Sequence, residues 1–427
     1  MESINKKWLW FIIPINVAAE GLHTVIPLFV IKLGGGIGEV SIAIALHYGS
    51  AALGSIFWGK ILDKYHAKKA VLLIAFSMIL LCCVWLYYTE KIEPVYAISV
   101  LTGLFLVARG PVTQMLVMET STNNQWSKLF ARTSIFSTTG SIIAMLIGAV
   151  WSFYFDIRQY FLICAVSTGV AIAISMQISK THFHIERSTI AHSIHGMQHI
   201  FSHFRFHNLF VFPKIPEIYD YKHIIALFKG RVSHEIGFLF LTNLLFYFGS
   251  NMYFTALTPF LKHNGLTDST VFALYLIQAC TMVGIFFAAP RIIGRFGEER
   301  SAMFAYLPRI LGILIAGFLI NLFVAPTMLV FAVASMCLMV VGFSIYSTAN
   351  SVLLFKTIPK GFEGTYLGVN SSMVGMGVFG GALTAGFITK SLDYQWTFSV
   401  ATLVLLGSVV LFRMYFKHRL SDRKIPH

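Results

Sequence analysis

Apolar residues along this chain come in long unbroken blocks, without the alternation of a half-buried strand or the narrow stripe of a surface helix. Twelve blocks qualify as membrane crossings: roughly 8–31, 39–61, 70–88, 94–117, 131–154, 159–178, 236–261, 269–292, 302–323, 326–354, 365–388 and 395–415. Each supplies the ~20 helical residues that a bilayer core about 30 Å thick requires. They fall six and six about one long polar stretch. The pattern predicts an all-α membrane protein of twelve transmembrane helices. An N-terminal six-helix bundle spans 1–179, a cytoplasmic linker 180–235, and a C-terminal six-helix bundle with a short basic tail 236–427.

Composition removes the soluble alternatives. The 427 residues are 56% hydrophobic and only 12% charged, with a mean hydropathy of +0.73. Soluble domains carry about twice that charge. The 39 Phe exclude a disordered chain. The five cysteines sit inside apolar runs with no disulfide or zinc spacing, and neither a cofactor nor a resident metal is expected. The first block contains Glu20 and lacks a small-residue cleavage site, so a removable signal peptide is not expected.

Charge then gives orientation. Lys plus Arg number 32 against 18 Asp plus Glu, a net +14. With the N-terminus inside, 25 of the basic residues fall on the cytoplasmic side and five on the other. That is the positive-inside bias of a membrane protein, so the excess does not point to nucleic acid. Both termini are expected in the cytoplasm, at the cell membrane, in a chain that works as a monomer.

The linker is basic and holds nine of the 15 histidines. His192, His195, His199 and His203 would share one side of a helix; a membrane-surface amphipathic helix is the simpler reading than a zinc or copper site. An internal repeat supports the division into halves. The basic turn from Gly59 to Lys69 is echoed 231 residues later from Pro290 to Arg300. At an offset of 237, Gly140, Asp156 and Phe161 pair with Gly377, Asp393 and Phe398.

With these features the chain resembles the major facilitator superfamily of secondary transporters. The turn after span two is similar to the family signature at Gly59, Asp63, Lys64 and Lys68, with His66 and Ala67 departing from it. The resemblance implies two pseudo-symmetric six-helix bundles. It also implies that Asp63 and Lys64 act as a breakable latch between the halves; fixing topology is the simpler alternative for the lysines. Arg109 in span four resembles an arginine of the family's fourth helix. Span five lacks the Gly-Pro signature of proton-driven exporters.

Polar groups inside the blocks mark the candidate site, because an ionisable side chain at mid-bilayer costs ~2.5–3.5 kcal/mol even on the lenient scale. Glu20 is the one acid near the middle of any span, and spacings of four and three place Asn16, Glu20 and His23 on one helical face. The resemblance sets helices one, four, seven and ten around a central cavity, with Glu20 facing Arg109. Glu20 is then the proton-coupling or cation-binding carboxylate, or else half of a permanent ion pair with Arg109. His23 is a candidate proton shuttle and His47 a lesser one. In span seven Asn243, Tyr247, Asn251 and Thr255 form a polar face, as do Tyr346 and Asn350 in span ten; these are read as cavity lining, with helix–helix hydrogen bonds as the alternative. Arg309, near the start of span nine, is expected to snorkel to the inner surface.

The chain is therefore expected to be a transporter, not an enzyme, moving a small organic solute by alternating access with protons as partner. Export of lipophilic compounds is the first direction considered, and uptake of a sugar or organic acid the second. No phosphate-binding loop, zinc motif or nucleophile elbow supports ATP drive or a membrane-embedded enzyme. A sensor on a transporter scaffold is the remaining class.

Overall fold

The structure is a computed structural model describing residues 6–65, 67–120, 123–178, 234–319, 325–357 and 363–422. The expected linker and its histidine series lie outside the described residues, except that His234 and Glu235 begin a helix. The first half holds α1 (Ile12–Lys32), α2 (Ile37–Tyr65), α3 (Lys68–Tyr88), α4 (Ile92–Leu106), α5 (Arg109–Thr120), α6 (Asn123–Tyr154) and α7 (Tyr160–Met176). The second holds α8 (His234–His263), α9 (Asp268–Phe296), α10 (Glu298–Leu314, ending in a π turn over Ile315–Leu319), α11 (Ala325–Thr357), α12 (Glu363–Ser391) and α13 (Tyr394–Asp422). No strand occurs among the described residues.

Ten stretches are long and apolar enough to cross a membrane on length and hydropathy alone. The other two crossings are α8, whose Asn and Tyr residues dilute its hydropathy, and α10, only 17 residues long before the π turn. Span four, read from sequence as one helix, is two. Pro111 has no N–H to offer the Val107 carbonyl. The chain tightens at Val107–Ala108 into three-residue turns, with Ala108 N–H donating to Phe105 O and Gly110 N–H to Val107 O. Arg109 opens the second segment at that break.

The halves repeat each other in packing. In the first, α1 lies against α6 and α7, α4 against α2 and α3, and α3 against α7. In the second, α8 lies against α12 and α13, α11 against α9 and α10, and α10 against α13. Two seams join them, α2 with α12 and α6 with α9, which exchange under the same pseudo-twofold.

The helix ends fix the register of that symmetry. Gly34 (φ +88°) closes α1, with Leu33, Gly34 and Gly35 N–H groups donating to Phe29, Ile31 and Val30 carbonyls. Gly265 (φ +82°) closes α8 with the same bonds, 231 residues on. A left-handed residue after a helix is the place where glycine is favoured. A Cβ at Gly140 would sit 2.5 Å from Ile13 O, and one at Gly377 would sit 2.5 Å from Leu244 O, again 231 residues apart on the partner helix. In this register Asn16 corresponds to Tyr247 and Glu20 to Asn251.

Candidate functional site

α1 is enclosed by protein: from Ile15 to Val30 every residue is buried except Glu20, which is half-buried, and His23, which is exposed. A helix with no lipid-facing side can expose these two only to space inside the molecule. His23 borders a small, partly open pocket lined also by Leu22, Ile26 and Pro27 of α1, Ala43, Ile44, His47 and Tyr48 of α2, and Ser99 of α4. Spacing alone places Asn16, Glu20 and His23 on one face; in the fold Asn16 is buried, Glu20 is half-buried and His23 borders the pocket.

The Arg109 guanidinium does not reach Glu20. Its Nη1 donates to Asn16 Oδ1 at 2.6 Å, one turn below. The same oxygen accepts from Ser137 Oγ of α6 at 3.0 Å, while Asn16 Nδ2 donates to Ile12 O at 2.7 Å. Asn16 thus uses both ends of its amide and ties α1, α5 and α6 together. Glu20 has no ion pair among the described residues but lies within electrostatic range of Arg109, His23 and Tyr48. The permanent Glu20–Arg109 pair considered from sequence is absent: Asn16, one turn nearer, takes the arginine.

His23 Nε2 is hydrogen-bonded to the Tyr48 hydroxyl of α2. His47 Nδ1 lies 3.1 Å from Thr102 Oγ1, and Thr102 spends its one hydroxyl proton on Ser99 O at 3.0 Å. His47 therefore carries its proton on Nδ1, leaving Nε2 as an acceptor beside the cavity. The Ser99 hydroxyl, fully buried and lining the cavity, has no hydrogen-bond partner. Sequence reasoning missed Tyr48, Ser99 and Ser137, because single hydroxyls in apolar helices carry no periodic signal.

In the second half the polar face of α8 goes mostly to neighbouring helices. Asn243, fully buried, receives the Tyr346 hydroxyl on Oδ1 at 2.6 Å and donates from Nδ2 to Asn370 Oδ1 at 2.6 Å. Asn251 Nδ2 donates to Val378 O at 2.8 Å, and Thr255 is buried beside it. Asn350 is buried with its Oδ1 unpartnered. Tyr247 alone of this set is partly exposed. Asn370 was missed because the resemblance directed attention to helices one, four, seven and ten, and it lies on the eleventh.

Arg309 overturns its expectation. It is 1% exposed and does not snorkel. Nε donates to Ser250 Oγ at 2.7 Å and Nη1 to Met339 O at 2.5 Å, with the guanidinium 4.7 Å from the centre of the Phe246 ring. The first residue of α10, Glu298, lies eleven positions earlier, too far for the side chain to regain the helix end, and α8 and α11 receive it instead.

Of the latch residues, α2 runs through Gly59, Asp63 and Lys64, whose side chains lie outside the described residues. Lys68 is buried at the start of α3. On the side opposite the chain termini the halves touch closely. Ser269 Oγ of α9 donates to Ala149 O of α6 at 2.7 Å. Gly148 lies against the Phe272 ring and Gly386 against Ser41, so that neither has room for a Cβ. That side is shut.

A chain with this architecture, two six-helix halves around a polar interior, has the build of a secondary transporter, and the comparisons agree. The profile of the Major Facilitator Superfamily matches residues 3–371 and 239–426, and the chain belongs to that family. An uncharacterised MFS-type transporter of Methanocaldococcus jannaschii is 31% identical over 107 residues, which is 25% of this chain and 28% of that relative. Among solved structures, the nucleoside transporter NupG superposes with a TM-score of 0.71 at 14% identity, covering 98% of this chain and all of that one. A point mutant of the peptide transporter POT, in complex with sulfate, gives 0.69 at 13% identity, covering 96% of this chain and 94% of that one. At such identities the likeness concerns the fold.

Proposed function

We propose that the protein is a proton-coupled secondary transporter of a small organic solute, with Glu20 as the proton carrier. The observation that carries this reading is a half-buried carboxylate with no ion pair among the described residues, on a helix whose other residues from Ile15 to Val30, His23 apart, are buried. A membrane-embedded acid is retained where it borders water or an ion path. A carboxylate's ionised form is favoured by a nearby guanidinium and disfavoured by desolvation, so a cavity that opens and closes changes the proton affinity of an acid on its wall. Asn16 holds Arg109 one turn away, close enough to be felt and not close enough to lock the acid. His23 and Tyr48 form the adjoining hydrogen-bonded pair through which a proton reaches Glu20. Tyr247, Asn243, Asn251, Thr255, Tyr346 and Asn350 furnish the solute wall of the second half. Asp63, Lys64, Gly59 and Lys68 form the latch on the side of the termini, and the closed opposite side corresponds to an inward-facing or occluded state. A carrier has no built-in direction; the imposed gradients set it.

The test is flux into sealed proteoliposomes. Uridine and dialanine are first probes, because nucleoside and peptide transporters share the fold. Wild type should accumulate a probe when the outside is made acid. Glu20→Gln should lose that accumulation while keeping exchange at equal pH. Unchanged dependence on the proton gradient would remove Glu20 from the mechanism.

A further inference from the structure

Arg309 lies in a half whose spans contain no acid at all. Between Ile236 and Thr267, between Ser269 and Gly297, between Arg300 and Phe362, between Gly364 and Leu392, and between Tyr394 and Ser421 there is neither Asp nor Glu. The acids nearest along its own helix, Glu298 and Glu299, open α10 ten or eleven residues away, roughly 15 Å by helical rise. Among the described residues, the groups within electrostatic range of the guanidinium are all tyrosines: Tyr247, Tyr253, Tyr306 and Tyr346. Its bonds to Ser250 and Met339 and the Phe246 ring solvate the cation locally and leave its charge in place.

Away from the span ends, the charges within the spans are Glu20, Arg109 and Arg309, a surplus of one positive charge. Arg309 lies in the second half, within electrostatic range of Tyr247, the partly exposed residue of α8 that corresponds to Asn16. It packs on the Phe246 ring, which stacks on Tyr346 at 3.8 Å, and Tyr346 bonds Asn243. A guanidinium stays protonated at any physiological pH, so nothing in the half can discharge it. Two facts thus meet: a permanent buried cation and, among the described residues, no counter-ion.

We propose that the solute is a small organic monoanion, a carboxylate by chemical class, drawn into the protein by the charge of Arg309, which no acid among the described residues offsets. This rests on the transport reading and adds the substrate class. Proton coupling follows from the same charges. Protonating Glu20 raises the surplus to two, so anion and proton each favour the other's binding, as linkage requires. The titratable and charged groups within electrostatic range of Glu20 are His23, Tyr48 and Arg109, with His47 in range of His23 and Arg109. A unit negative charge ~12 Å from a guanidinium at an effective dielectric of about 20 gains on the order of tenfold in affinity.

The test uses the full-length protein in detergent and matched probe pairs of equal shape, benzoate with benzamide and lactate with lactamide, read by thermal shift and titration calorimetry. Expected is binding of a carboxylate about tenfold tighter than of its amide, tightening as pH falls, with the preference kept in Arg309→Lys and lost in Arg309→Met. Amides that bind as well as their acids overturn the proposal, as does a carboxylate preference that survives in Arg309→Met. If Arg309→Met does not fold, the wild-type pairs decide alone: no preference, or no carboxylate bound at any pH, overturns it. Proton-driven flux of a neutral solute would leave the transport reading standing and end this one. A carboxylate preference whose pH dependence is unchanged in Glu20→Gln would do the reverse.

Discussion

At the scale of single residues, Asn16 and Arg309 carry the lesson. Asn16 looks in the sequence like one more polar residue of a cavity face. In the structure it is the joint on which Arg109 and Ser137 converge. Asn16→Ala leaves a buried guanidinium and a hydroxyl each short of an acceptor, which should cost ~1–3 kcal/mol, more if Arg109 finds no other acceptor. Freed from Asn16, Arg109 should swing to Glu20, so proton-driven flux should fall further than stability. Thermal unfolding and flux on the same preparation measure both, and equal losses would contradict this division of roles. Glu20 and Asn16 were legible because an ionisable or amide group in an apolar run is rare and costly. Where Arg309 goes was not legible, since snorkelling and burial differ only in which neighbours surround the helix.

At the scale of elements, the break in span four and the turns between spans do the positioning. Pro111 cuts the fourth crossing where Arg109 must leave the helix and meet α1. On the side opposite the termini, Lys32 at the end of α1 pairs with Asp156 in the turn between α6 and α7. Burial pushes the Asp156 carboxyl up, but the Lys32 ammonium and the Arg158 N–H outweigh it and hold it below the usual carboxylate range. A lowered folded-state pKa contributes stability that is present above the ordinary carboxylate pKa and lost as pH falls through the lowered one. Asp156→Asn should therefore lower the melting temperature slightly at neutral pH, by less than about 1 kcal/mol for so exposed a pair. The difference should vanish in strong acid. A mutant deficit that persists there would assign the loss to something other than this ion pair.

At the scale of the whole molecule, alternating access requires the seams to open and close as units. The α2–α12 and α6–α9 seams are closed by contact at Gly386 and Gly148, where a side chain has no room. Gly386→Trp should wedge the first seam apart. A cysteine introduced at Ser41 in that background should then label with a membrane-impermeant thiol reagent several-fold faster than in wild type. Equal labelling would mean that this seam does not gate the cavity. The prediction concerns the equilibrium between states; the wedge needs only to make the closed state costlier.

The sequence by itself determined that this chain lives in a bilayer, crosses it twelve times in two related halves, and keeps one acid at depth. Those properties follow from transfer free energy and helical rise, which are additive along the chain and need no knowledge of neighbours. Only the tertiary structure decided that His23 borders a pocket and that Arg109 is held by Asn16. It also decided that most of the α8 polar face binds helices and that Arg309 has no acid beside it among the described residues. Each of these depends on which surfaces meet across tens or hundreds of residues, and an apolar run offers the same face to lipid, to protein and to a cavity until the packing chooses among them.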